Sequence, residues 1–342
     1  MKSIQLYILS LLSVFMLSAC NHKELCIEHP HLVPVCVNAD WSKFGQDPMN
    51  MTVMFYPQDG GEVMHVKNYN PRSARVQLAV NTYDVLVFNE QTDDFGNIKF
   101  RNMEKFATAE AYVFNAVAQP SMKRTATEMT LSSPEHLGVA IVRDFQVTQE
   151  MLDTYSEQRD RGLQIEENVL TVYPENKIYT IDVKIYVSGI QYVRSVVASL
   201  SGLAEGYMMG TDIPASGKTT HVISNWQIVS TSDSDEGYLH GTCLSFGLPA
   251  GHTGEPDQNI LSISALLVDN ETVVDLALQV GDKFEKEEGG YRQYLCLELG
   301  KSSNDSIVFP KVKPEGTMEG NLTIDPSFEG DHSVEFKNLI NN

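Results

Sequence analysis

Tyr179-Thr180-Ile181-Asp182-Val183-Lys184-Ile185-Tyr186-Val187-Ser188 alternates apolar and polar side chains without a break. A period of two turns Tyr179, Ile181, Val183, Ile185 and Val187 to one face. Thr180, Asp182, Lys184 and Tyr186 take the other, as in a strand with one side in a core. The same signal recurs on both sides of this stretch. Downstream, Leu261 to Val268 and Thr272 to Val280 flank Asp269-Asn270-Glu271, which reads as a hairpin. Upstream, Met51, Val53 and Phe55 share a face before the turn residues Asp59-Gly60-Gly61. Val76, Leu78 and Val80 alternate with polar or small neighbours, and Tyr83 to Asn89 is a further strand. Short strands at this spacing, punctuated by Gly, Pro, Asn and Asp, predict an all-β chain of antiparallel β-sandwiches. No βαβ rhythm is present, which disfavours a nucleotide-binding α/β sheet.

One stretch departs from the pattern. Residues 147–164 (VTQEMLDTYSEQRDRGLQ) are polar and weakly periodic, and read as a short helix or an interdomain linker. A composition shift there predicts a boundary near residue 160. The expected organisation is residues 1–19 as a signal segment, 20–31 as a tether, and two tandem β-sandwich domains over 32–160 and 161–342.

The chain has 342 residues, 25 Lys and Arg against 45 Asp and Glu, and a formal charge of −20. Such acidity repels phosphate backbones and anionic lipid alike, so neither nucleic acid nor a basic membrane-docking patch is expected. The 42% hydrophobic content excludes a disordered chain. The N-terminus gives an address. Lys2 precedes an apolar run from Ile4 to Leu17, too short to span a bilayer, and Leu17-Ser18-Ala19-Cys20 follows. Small residues before a cysteine form a bacterial lipobox, with Cys20 as the lipid-bearing thiol. Asn21 after it favours the outer membrane, lipid-anchored, with the acyl chains as the anchor and the face of that membrane left open.

Export places the remaining thiols, Cys26, Cys36, Cys243 and Cys296, where disulfides form. Cys26 and Cys36 are the easier pair to join; Cys243 and Cys296 lie in strand-like runs and read as small buried hydrophobes. Chemistry is sparse. Ser216-Gly217-Lys218-Thr219 lacks the first glycine of a phosphate loop and reads as a turn. Asp233-Ser234-Asp235-Glu236-Gly237 misses the calcium-loop spacing. His22, Cys26, His29, His31 and Cys36 match no standard zinc spacing and read as a tether entering a strand over Leu32 to Val37. Glu287-Glu288 reads as a solvated pair, and Trp226, set in an apparent alternation with Val222, Ser224 and Ile228, as core. The expectation is a non-enzyme with no cofactor and no metal.

Several stretches resemble the fimbrillin-like lipoproteins of Bacteroides-type bacteria, including those related to anchor subunits of type V pili. They are Cys20 to Cys26, His29-Pro30-His31, Asp40-Trp41, Pro48 to Pro57 and Tyr83 to Asn89, with looser likeness at Ser133 to Leu137 and Ser199 to Ala204. The resemblance implies transthyretin-like sandwiches on a surface lipoprotein with a structural or adhesive role. It implies a pilus anchor or accessory subunit that contacts other fimbrillin-like subunits through strands. Polymerising members lose a first strand by cleavage after Arg or Lys, whereas anchors keep it. Here Arg72, Arg75 and Arg101 are the early arginines, and none stands in an obvious protease-sensitive signature. A surface glycan-binding lipoprotein of a nutrient-uptake system is the alternative. Asp305-Ser306-Ile307 matches the O-glycosylation pattern of that bacterial group, making Ser306 a candidate. The alternating Asp331 to Lys337 is a candidate final or donated strand.

Overall fold

The computed structural model describes residues 31–116, 129–223, 225–231, 235–301 and 307–315. Strands are numbered along the chain. In the first sandwich, β1 (Leu32–Ala39) lies between β4 (Ser73–Ala79) and β10 (Asn168–Val172). The facing sheet runs β11 (Glu175–Asn176), β9 (Gly138–Val147), β5 (Asn81–Asn89), β2 (Met51–Pro57) and β3 (Met64–Asn68). Val33, Val35, Val37, Val76 and Leu78 of one sheet meet Met51, Val53, Phe55, Val85 and Val87 of the other in a closed core. Each such buried side chain contributes roughly 1.5–3 kcal/mol relative to exposure.

The five-stranded sheet is apolar on both faces. Six of the seven β2 residues are buried, because Met54 and Tyr56 point away from the first core into a second one. That second core is roofed by β6 (Ile98–Arg101), β7 (Glu110–Val113), β14 (Gly206–Met208) and β15 (Ile213–Pro214). Thr52, the one polar residue of β2, satisfies its hydroxyl by donating to the Glu90 carbonyl at 2.9 Å.

The second sandwich carries the stretch quoted above as β12 (Tyr179–Ser188), with the expected residues inward. Its sheet runs β17 (Gln227–Ser230), β18 (Glu236–Ser245), β12, β22 (Arg292–Leu299) and β21 (Glu285–Gly289), and β23 (Ile307–Val308) pairs the end of β12. Against it packs the sheet β20 (Val273–Gln279), β19 (Ile260–Leu267), β13 (Val193–Ala204), β16 (Lys218–Ile223) and β8 (Thr130–Leu131). The all-β class therefore holds. Four pairs are parallel: β1 with β10, β12 with β22 and with β23, and β16 with β8. The 269–271 and 59–61 hairpins form where expected, Asn270 at φ 61° and Gly60 and Gly61 at φ 93° and 122° supplying the left-handed turn.

The division near 160 does not match the strand pairing. Helix α1 (Gln149–Asp160) is capped by Thr148, whose hydroxyl accepts from the Met151 N–H at 3.3 Å, and it buries Leu152 in the first core. It is part of the first sandwich rather than a linker, and β10 and β11, beyond 160, return to first-half sheets. Exchange runs the other way too: β8 completes a second-half sheet, and β14 pairs with β7. The alternation read through Trp226 is also interrupted, since β16 ends at Ile223 and β17 begins at Gln227.

Candidate functional site: the first strand and the junction

The first strand is held on both sides. Val35 to Ala39 run parallel to Asn168 to Val172, and Leu32 to Asn38 run antiparallel to Ala79 to Ser73. Val33, Val35 and Val37 point into the core, so both ladders and the packing fix β1. Cys36 belongs to the opposite, outward face, between Arg75 and Val169 of the neighbouring strands. Its Sγ donates to Asn38 Oδ1 at 3.3 Å and lies 3.3 Å from Ser73 Oγ. After β1 the chain turns sharply. Asp40 accepts from the Ser42 N–H at 3.0 Å, which holds its carboxyl below the usual range, and the Trp41 indole donates to the Pro71 carbonyl at 2.7 Å.

The junction between the halves is polar at its rim and aromatic inside. Arg101 on β6 donates from Nε and Nη2 to Glu110 at 2.7 and 2.6 Å and from Nη2 to Glu205 at 2.8 Å. Glu110 is buried, so these charge-assisted bonds raise the guanidinium pKa and tie first-half strands to the segment before β14. Tyr112 places its ring 4.5 Å below the same guanidinium. Arg143 donates to the Gly210 carbonyl at 2.6 Å, and Lys177 meets Asp212 at 2.8 Å. Inside, Tyr207 stacks on Phe246, and burial together with Asp212 keeps the Tyr207 phenol protonated.

The other residues singled out from sequence disperse. Arg72 pairs with Asp47 at 3.0 Å and Arg75 pairs with Glu167, so with Arg101 all three early arginines are engaged. Cys243 is buried in the core of the second sandwich, between its two sheets, as expected. Cys296 is not: Leu295 and Leu297 take the inward positions of β22, leaving its thiol half-buried on the outer face near Glu287 and Asp182. Ser216 and Gly217 form the turn between β15 and β16. Trp226 packs against the core of the second sandwich and donates to the Ile223 carbonyl at 2.9 Å. Among the described residues no group of three His, Cys, Asp or Glu is placed to hold a metal, and no helix is long and apolar enough to cross a membrane. Cys20, Cys26, Ser306, His22, His29, Asp233 and the stretch from Asp331 to Lys337 lie outside the described residues. Sequence reasoning missed the junction, because its strands β14 and β8 have three and two residues and carry no periodicity.

An all-β chain with an interlocked pair of sandwiches defines the class, and sequence comparison gives the family. Residues 19–223 match the domain of unknown function DUF5119, and the chain belongs to that family. Over 205 residues it is 26% identical to a Bacteroides ovatus protein named “Putative fimbrium anchoring subunit Fim4B”. That alignment covers 60% of this chain and 55% of the relative, so the chain spans about half the length of the curated relative it matches. The fold is similar to the crystal structure of a “putative adhesin” from Bacteroides ovatus, with a TM-score of 0.57 at 20% identity over 86% of this chain and 98% of that one. The fimbrial anchor protein Mfa2 of Porphyromonas gingivalis is more distant, at a TM-score of 0.41 and 13% identity over 72% of this chain and 82% of that one.

Proposed function

We propose that this chain is a lipid-anchored subunit of the outer-membrane surface, an anchor or accessory piece of a pilus or adhesive assembly that meets other fimbrillin-like subunits by strand pairing. The observation that carries the reading is the place of β1. A chain tethered through Cys20 takes any pull on the assembly at its N-terminus, and that pull enters the fold at Leu32. Leu32 to Pro34 pair with β4 alone, and from Val35 onward β1 is the middle strand of its sheet, hydrogen-bonded to both β4 and β10. Force along β1 loads both ladders in shear, so their hydrogen bonds resist together rather than one after another. A strand that is paired on both sides and fills its own core also leaves no vacancy there for a neighbour's strand. The likeness to the Fim4B relative supports the same role.

The glycan-binding alternative has less support, since Trp41 and Trp226 are committed to packing. A Cys26–Cys36 disulfide is part of this proposal, the Cys36 thiol lying buried on the face of its sheet opposite the first core, as is a glycan on Ser306. Fractionation of cells carrying Cys20→Ala tests the anchoring. The variant should leave the membrane fraction and be released with its partner subunits. Retention in the membrane overturns the reading.

A further inference from the structure

The second sandwich has an open edge at β20, which pairs only with β19 among the described strands. The Val280 N–H donates to the Asn259 carbonyl, and at the other end the Leu267 N–H donates to the Thr272 carbonyl. Antiparallel ladders alternate, so Val274, Leu276 and Leu278 direct their backbone groups at β19. Val273, Asp275, Ala277 and Gln279 direct theirs outward. An edge of this kind is a template for another strand. Beside it lies a groove of about 500 Å³ lined by Leu278, Val280, Leu299 and Ile307, with Lys283 at its margin beside the ion pair of Lys301 and Glu298.

The chain itself arrives at the foot of this edge. From β23 it passes through the buried Phe309 to Glu315, whose N–H donates to the Val268 carbonyl at 3.1 Å and whose carboxylate meets the Asn270 side-chain amide. Val268 and Asn270 form the turn that begins β20. Residues 316–342 follow from that point. They contain two short alternating runs, Asn321-Leu322-Thr323-Ile324 and Ser333-Val334-Glu335-Phe336. They also carry five carboxylates, Glu319, Asp325, Glu329, Asp331 and Glu335, against Lys337 alone. Covering a seven-residue strand needs a span of roughly 23 Å, well within the reach of this segment even with a reversal.

We propose that residues 316–342 lay a strand on the outward edge of β20 of the same molecule and cover the apolar groove, their acidic residues facing Lys283. The chain thereby blunts its own edge rather than offering it to a neighbour. This inference goes beyond the anchoring role and does not depend on it.

Amide hydrogen exchange on the chain from Cys20 to Asn342, beside one ending at Glu315, tests it. The amides of Val273, Asp275, Ala277 and Gln279 should exchange at least tenfold slower in the longer chain, while those of Val274, Leu276 and Leu278 change little. The double variant Ile324→Asp/Val334→Asp keeps the full length and should lose the same protection. Equal exchange in all three proteins overturns the proposal. Protection that appears only as protein concentration rises, with a dimer by light scattering, also overturns it by naming a second copy as the occupant.

Discussion

Asn259 is fully buried and donates from Nδ2 to the carbonyls of Ser201 and Gly202 at 2.9 and 3.0 Å, while its Oδ1 lies 2.8 Å from His252 Nε2. Those carbonyls stand at the register shift of β13, where Gly202 has φ +75° and a Cβ would overlap the Gln258 carbonyl. Asn259→Ala leaves buried acceptors without this donor and should cost about 2–3 kcal/mol, read as a fall in urea midpoint at unchanged slope. Gly202→Ala should destabilise at least as much. The glycine is visible in the stretch Ser199 to Ala204, but its reason is not, since the crowding residues are Gln258 and Asn259, far along the chain. Cysteine behaviour is half legible in the same way. Burial pushes the Cys243 thiol up to about 12, and burial with Glu287 and neighbouring carboxylates pushes Cys296 up to about 11. The half-exposed Cys296 should therefore react with iodoacetamide at pH 8 about a hundredfold more slowly than an ordinary thiol of pKa about 8.5. Peptide mass spectrometry of the alkylated native protein checks this.

Among the elements, β1 and β8 are held by different means. For β1 the sequence was sufficient: Leu32 to Val37 is apolar enough to read as a strand, although its central place depends on β10, which arrives after α1. Val35→Pro removes a ladder donor from a central strand and should cost about 3 kcal/mol or more, seen as a loss of cooperative unfolding at lower temperature. The two-residue β8 is clamped by His221 of β16, which lies wholly within the core 3.3 Å from the Leu131 carbonyl. No pattern predicts that contact, because a lone histidine in an alternating run has no partner in its own sequence. Burial lowers the His221 pKa to about 4, against 6.5 for an ordinary imidazole. The unfolded chain thus binds a proton that the folded chain refuses between those values. The His221 contribution is complete above pH 6.5, falls as pH drops, and levels off below about 4, by up to roughly 3 kcal/mol. Burial also lowers the pKa of His65 and His136, which slope the curve the same way. Melting temperatures at pH 4 to 7 should therefore fall less steeply for His221→Gln than for the parent, without becoming flat. Parallel curves would remove His221 from the account.

At the scale of the whole molecule, two sandwiches share a third core. Met54, Tyr56, Leu86 and Phe88 from the first half, and Tyr207, Met209 and Phe246 from the second, bury one another between sheets to which both halves contribute. The strands of both sandwiches were readable from alternation, and β12 was read residue by residue. Their interlocking was not. Met51 to Pro57 is an unbroken apolar run, the mark of a strand buried on both faces, and only Met51, Val53 and Phe55 belong to the face that alternation assigns. The roofing strands are too short for any period, and the Arg101–Glu110–Glu205 cluster joins residues that composition treats as ordinary surface charge. A shared core makes the described strands of the two halves one mechanical body. Phe246→Ala, a change in the second half, should then lower the stability of first-half strands by about 3–5 kcal/mol, visible in the exchange of β2 and β5 amides. Differential scanning calorimetry of the chain from Cys20 to Asn342 tests the shared core most directly. The account predicts one transition with equal calorimetric and van't Hoff enthalpies. Two resolved transitions, with the lower one alone moved by Phe246→Ala, would contradict it.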